Sequence, residues 1–113
     1  MKFISAAKST QRQSNDHCTI TEFPMNDNDL NFAIADLAGR YPESGRVKNL
    51  KCKEIVYIAE GSGKIVVNGH EQTLKAGDVV MVETNEPYFW EGTLKLLITC
   101  HPAFSVEQHV TVE

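Results

Sequence analysis

From Cys18 onward the chain is a series of short apolar or alternating runs separated by Gly, Asn, Asp and Pro. That spacing predicts an all-β sandwich or barrel rather than a helical fold. Strands are expected near 17–24, 30–39, 51–60, 63–68, 71–75, 78–83, 86–91 and 93–101. The clearest alternation sets Leu94, Leu96, Ile98 and Cys100 against Lys95, Leu97, Thr99 and His101. The first set is expected on a buried face and His101 on the opposite one.

Glycines punctuate these runs. Gly61-Ser62-Gly63 reads as a hairpin connection, because glycine reaches positive φ without steric cost. Asn68-Gly69 reads as a second, tighter hairpin, both central residues of a type I′ turn needing positive φ. Val79-Val80-Met81-Val82 is apolar throughout and predicts a strand buried on both faces. After Pro102, Ser105 to Gln108 allows one helical turn with Ser105 as N-cap and Gln108 at the capping-box position. Residues 1–15 are polar and aperiodic, expected to form an N-terminal arm or an edge strand, with residues 16–113 as a single barrel. Many short antiparallel strands must hide their edges, which a small chain does most simply by rolling into a two-sheet jelly roll.

At 113 residues the chain suits one domain, large enough to bury roughly two thirds of its unfolded surface. Hydrophobic residues make up 42% and charged residues 23%, a folded rather than a disordered profile. A net charge of −4 without a cluster of Lys or Arg argues against nucleic acid or an anionic membrane as partner. Cys18, Cys52 and Cys100 are odd in number and show no C-x-x-C spacing, which fits a reducing cytoplasm. The first residues are too short an apolar run for a secretory signal, and no run approaches the length of a membrane span.

The stretch Gly45 to Gly61 resembles the first cupin motif, whose closing glutamate and glycine are separated by six residues, as Glu54 and Gly61 are. Gly69 stands seven residues before Ala76-Gly77-Asp78, and Pro87-Tyr88 follows Gly77 by ten, so this stretch resembles the second motif. The resemblance implies a double-stranded β-helix, the jelly-roll barrel of a small single-domain cupin. In metal-binding cupins a His-x-His pair, the glutamate and a later histidine hold the metal. Here no histidine lies between Cys18 and Gly69. The His-x-His positions fall on Lys48 and Leu50 or on Val47 and Asn49, and Tyr88 stands where the later histidine is expected. Only Glu54 remains of the set, so no metal and no other cofactor is expected at the usual site, although Cys52, Glu54 and Tyr88 could improvise one.

Glu54 shares strand parity with Cys52, Val56 and Ile58, which places thiol and carboxylate inside if the aliphatic pair is inside. A carboxyl in an apolar barrel has its pKa raised and suits a general acid or base; the plainer alternative pairs it with Arg or Lys at the barrel mouth. Cys52 would be nucleophilic only beside a base or positive charge, and otherwise is a buried inert thiol. Tyr88 and Trp90 share a parity and would either wall a small-ligand pocket or plug the barrel. His17, His70 and His109 read as satisfied or solvated. Arg46 and Asn49, in the loop leading to Glu54, could reach the pocket rim.

These residues lead to a metal-independent small-molecule-binding barrel with Asn49, Cys52, Glu54, Tyr88 and Trp90 around a narrow, polar-ended cavity. The alternatives are a metal-free isomerase or epimerase using Glu54 and Tyr88 as acid and base, or a structural or regulatory dimer with a filled barrel. A homodimer is expected because small cupins commonly pair through their sheets.

Overall fold

The computed structural model describes residues 1–113. Nine strands carry the chain: β1 (Thr10–Asn15), β2 (Cys18–Phe23), β3 (Asn31–Tyr41), β4 (Arg46–Asn49), β5 (Lys53–Val67), β6 (His70–Lys75), β7 (Val79–Val82), β8 (Tyr88–His101) and β9 (His109–Val112). Two 3-10 turns, Ala6–Lys8 and Val106–Gln108, are the only helical segments. Every pairing is antiparallel. β1, β2, β3 and β8 lie side by side, β5 covers the other flank of β8, and β6 and β7 both pair with β5. β4 joins the start of β8 and carries β9 on its far edge. The curled sheet is the all-β jelly-roll barrel that the strand pattern predicts. No helix is long and apolar enough to cross a membrane.

β8 is the axis of the fold. Along it Leu94, Leu96 and Cys100 are buried and Ile98 packs half-buried beside them, as their alternation predicts, while His101 is exposed. Leu94, Leu96 and Ile98 meet Val56, Ile58 and Ile65 of β5 and Ala35 and Leu37 of β3 in one core. Each fully buried aliphatic side chain there contributes about 1.5–3 kcal/mol relative to exposure.

Several elements differ from the sequence expectation. Gly61-Ser62-Gly63 does not turn: β5 runs through it as one strand, and a register shift between Ile58 and Glu60 leaves Ala59 as the extra residue of a bulge. The bulge moves the inward parity from Glu54, Val56 and Ile58 to Ile65 and Val67, so the break in pattern that suggests a hairpin is a change of face within a strand. The segments expected at 86–91 and 93–101 are likewise one strand through Gly92. The second glycine signal does turn, with Asn68 at φ 52° and Gly69 at φ 79°. β7 is not buried on both faces: Val82 is buried and Val79 and Met81 are exposed, because only β5 pairs with it and its outer face is bare. Ser105 makes no side-chain cap, and Gln108 turns inward instead of closing a capping box. β4 and β9, four residues each, carry no pattern long enough to predict.

Three glycines stand in one row across the sheet: Gly39 of β3 pairs with Gly92 of β8, which pairs with Gly63 of β5. Gly92 has φ 138°, and a Cβ there would come within 2.5 Å of the Gly63 Cα. This row is a crease where backbones approach too closely for side chains, and it lets the long strands bend from one half of the barrel to the other.

Candidate active site

The crease and the curl enclose a cavity of ≈ 90 Å³ inside the barrel. Glu54, Cys100, Tyr88 and Trp90 line it from β5 and β8, Tyr41 and His109 from β3 and β9, and Arg12 and Glu22 from β1 and β2.

Glu54 owes its position to strand parity: Val82 of β7 and Cys100 of β8 are its register partners on either side. Its side chain is buried, and the residue is 6% exposed. None of the five salt bridges involves it, so the Arg or Lys partner that would have made it a structural carboxylate is missing. The Cys100 thiol donates to Glu54 Oε2 at 3.7 Å. Burial pushes the Glu54 carboxyl up to about 7, hydrogen bonds from Cys100 and Tyr88 offsetting only part of the effect. Glu54 therefore spends much of its time as a neutral acid near neutral pH. Burial, with Glu54 and Tyr41 nearby, holds the Tyr88 phenol protonated well above the ordinary range. Tyr88 and Trp90 meet edge to face, ring centroids 6.5 Å apart at 84°.

A second set of groups reaches the cavity from β3 and β9. Tyr41 Oη lies 2.7 Å from His109 Nε2, and His109 Nδ1 lies 2.8 Å from Asn49 Oδ1. Gln108 Nε2 donates to the same Asn49 oxygen at 2.9 Å, and Gln108 Oε1 accepts the backbone N–H groups of Lys51 and Cys52 at 3.1 and 3.2 Å. Phe104 packs on the imidazole with ring centroids 5.4 Å apart. Burial and the Arg12 guanidinium lower the His109 pKa, favouring the neutral ring. Arg12 itself is held by Glu22 at 3.3 Å.

Of the residues singled out in the sequence, Glu54, Tyr88 and Trp90 line the cavity together. Asn49 is buried one layer behind the wall, holding His109, and Cys52 is fully buried beneath it. Arg46 is on the surface, paired with Glu113 at 2.7 Å. Cys100 is held protonated by its contact with Cys52, by burial and by the neighbouring Glu54. Sequence reasoning missed Tyr41 and Arg12, and read His109 as merely satisfied. His109 is satisfied, by Asn49 and Tyr41, but those partners also aim it at the cavity. Its signal was hidden because β9 is too short to show which face the ring takes.

The donor set does not suit the metal of a metal-binding cupin. No group of three or more His, Cys, Asp or Glu side chains has an arrangement that could hold a metal ion, and the positions around Glu54 supply thiols and phenols instead of imidazoles.

The sequence profile of the cupin domain matches residues 44–98. Among solved structures, a variant of Pac13 from Streptomyces with uridine superposes with a TM-score of 0.90 at 17% identity, covering 100% of this chain and 92% of that one; Pac13 is described as a nucleoside dehydratase. KdgF from Halomonas sp. gives a TM-score of 0.74 at 12% identity, covering 95% of this chain and 97% of that one. Oxalate decarboxylase from Bacillus subtilis gives 0.80 at 16% identity, covering 99% of this chain but 32% of that one. No curated protein sequence matches. At these identities the likeness establishes fold and not activity. Motif spacing, strand topology and the profile over residues 44–98 agree on that fold, and the chain has the fold of a small cupin domain.

Proposed function

We propose that this protein is a metal-independent cupin that binds a small uncharged molecule in the barrel cavity and that the site is equipped for proton transfer. The observation that carries the reading is Glu54: a buried carboxyl with no cationic partner, aimed into a cavity and titrating near 7. Such a group donates a hydrogen bond or a proton to a ligand oxygen at neutral pH. Tyr88 and Trp90 supply flat walls suited to a ring. The cavity weighs against a barrel filled solid by its own side chains. The fold's likeness to Pac13 supports nucleoside-sized, hydroxylated rings as first candidates.

Uridine and neutral monosaccharides, tested by thermal shift and calorimetry at pH 6, are the direct probes. The expected result is stabilisation by at least one of them, with affinity falling about tenfold or more in Glu54→Gln. An equal shift in the variant, with its fold intact, would move the binding site elsewhere.

A second reading, a metal-free isomerase or epimerase, is favoured by the same titration of Glu54, since an acid working near its pKa is the most effective proton donor. In its simplest form Tyr88 partners Glu54. We also propose that the chain works as a homodimer, and that its three buried free thiols serve in a reducing cytoplasm.

A further inference from the structure

We infer that Tyr41 and His109, rather than Tyr88, form the proton-accepting side of the cavity that Glu54 also lines, and that the substrate is an uncharged aldehyde or ketone bearing a hydrogen beside its carbonyl. The inference rests on the proton-transfer reading above and assigns its second half.

The backbone fixes the hydrogen-bond directions. Gln108 Oε1 accepts two backbone N–H groups, so its amide nitrogen faces Asn49 and must donate. Asn49 Oδ1 is thereby an acceptor, and the His109 Nδ1 that also meets it carries the proton. A neutral imidazole protonated at Nδ1 has a bare Nε2, and the Tyr41 phenol donates to it. Ser14 also hydrogen-bonds the Tyr41 oxygen, which leaves one lone pair for the cavity that Tyr41 lines, with His109 as proton acceptor behind it. Tyr88 has no imidazole behind it: its side-chain partner is Asn49, an amide that cannot take up a proton, and burial beside Glu54 holds the phenol protonated.

The chemistry narrows the substrate. A phenol backed by imidazole cannot strip an unactivated C–H bond, but it can take a proton made acidic by an adjacent carbonyl. In the step, the substrate C–H proton moves to the Tyr41 oxygen while the phenol proton moves to His109 Nε2. The C–H electron pair becomes the enol double bond as the carbonyl oxygen takes the Glu54 proton. The substrate leaves as a neutral enol, His109 becomes imidazolium and Glu54 carboxylate; return of a proton to either carbon reverses both. Asn49 Oδ1 remains hydrogen-bonded to the imidazolium, which is why Asn49 is a positioning residue.

Two measurements on the full chain decide the matter. The first is nitrogen-15 NMR of the ligand-free protein at mildly alkaline pH, in which His109 is expected to be protonated at Nδ1 and bare at Nε2. A ring protonated at Nε2 overturns the assignment. The second is deuterium wash-in from D2O beside the carbonyl of dihydroxyacetone and glyceraldehyde. Wild-type protein is expected to catalyse it; Tyr41→Phe and His109→Gln, verified as folded by circular dichroism, are each expected to lower kcat about 10²-fold or more with far less change in KM. Wash-in that survives Tyr41→Phe but is lost in Glu54→Gln overturns the dyad and leaves the proton-transfer reading standing. No wash-in by wild type overturns the substrate class, while the probe binding described above tests the pocket separately.

Discussion

Glu54 couples the site to the stability of the whole chain. Its carboxyl titrates near 4.5 when unfolded and about 7 when folded, because burial penalises the charged form. The folded state therefore holds the extra proton between these values. The stability this gives is fully present below about 4.5 and is lost as pH rises through about 7. The loss is on the order of 3 kcal/mol. Urea unfolding across this range is expected to show the decline, and Glu54→Gln to flatten it and to exceed wild type in stability at pH 8; parallel curves for the two proteins would contradict the assignment. The inward direction of Glu54 was legible because Val56 and Ile58 announce the face. Whether an inward residue touches the cavity or its wall was not, since parity gives a side and no depth. Cys52 ended behind the wall for that reason, and Cys100 in it, while Asn49, expected in a loop, is the buried last residue of β4.

At the scale of the element, glycine misled where it bends a strand without ending it. The Asn68-Gly69 turn was readable because the dipeptide demands positive φ twice within two residues. Gly61, Gly63 and Gly92 serve a different need, the close approach of β5 and β8, and only the pairing of distant strands reveals it. Gly92→Ala places a methyl against the Gly63 Cα and the Ser62 carbonyl at a φ of 138°. It is expected to destabilise the fold by about 3 kcal/mol or more, read from the urea midpoint. A change below about 1 kcal/mol would mean that the crease relaxes easily. By contrast the long alternation of β8 was legible in full, because eight consecutive positions obey one period.

For the whole molecule, the outside of the barrel is as informative as the inside. Ile55 and Tyr57 of β5 stand beside Met81 and Val79 of β7 on the outer face, and the four are 44%, 46%, 51% and 57% exposed. A contiguous apolar stripe across paired strands is the kind of surface that a partner covers. The proposed dimer uses it, and Tyr57→Lys combined with Met81→Lys is expected to convert a dimer to a monomer in analytical ultracentrifugation. A wild-type protein that stays monomeric at every concentration would refute it. The crease has a mechanical consequence as well. Glu54 and its register partner Cys100 lie on one side of the glycine row, and Tyr41 lies on the other. Cys100 is eight residues from Gly92, an arm of up to roughly 27 Å, so a flexure of about 5° at the row shifts acid against acceptor by as much as roughly 2 Å. A displacement of that size is enough to cost a proton transfer about two orders of magnitude. On the proposed proton transfer, the three glycines, none of which touches the cavity, act as the fulcrum that sets the gap between its proposed acid and acceptor.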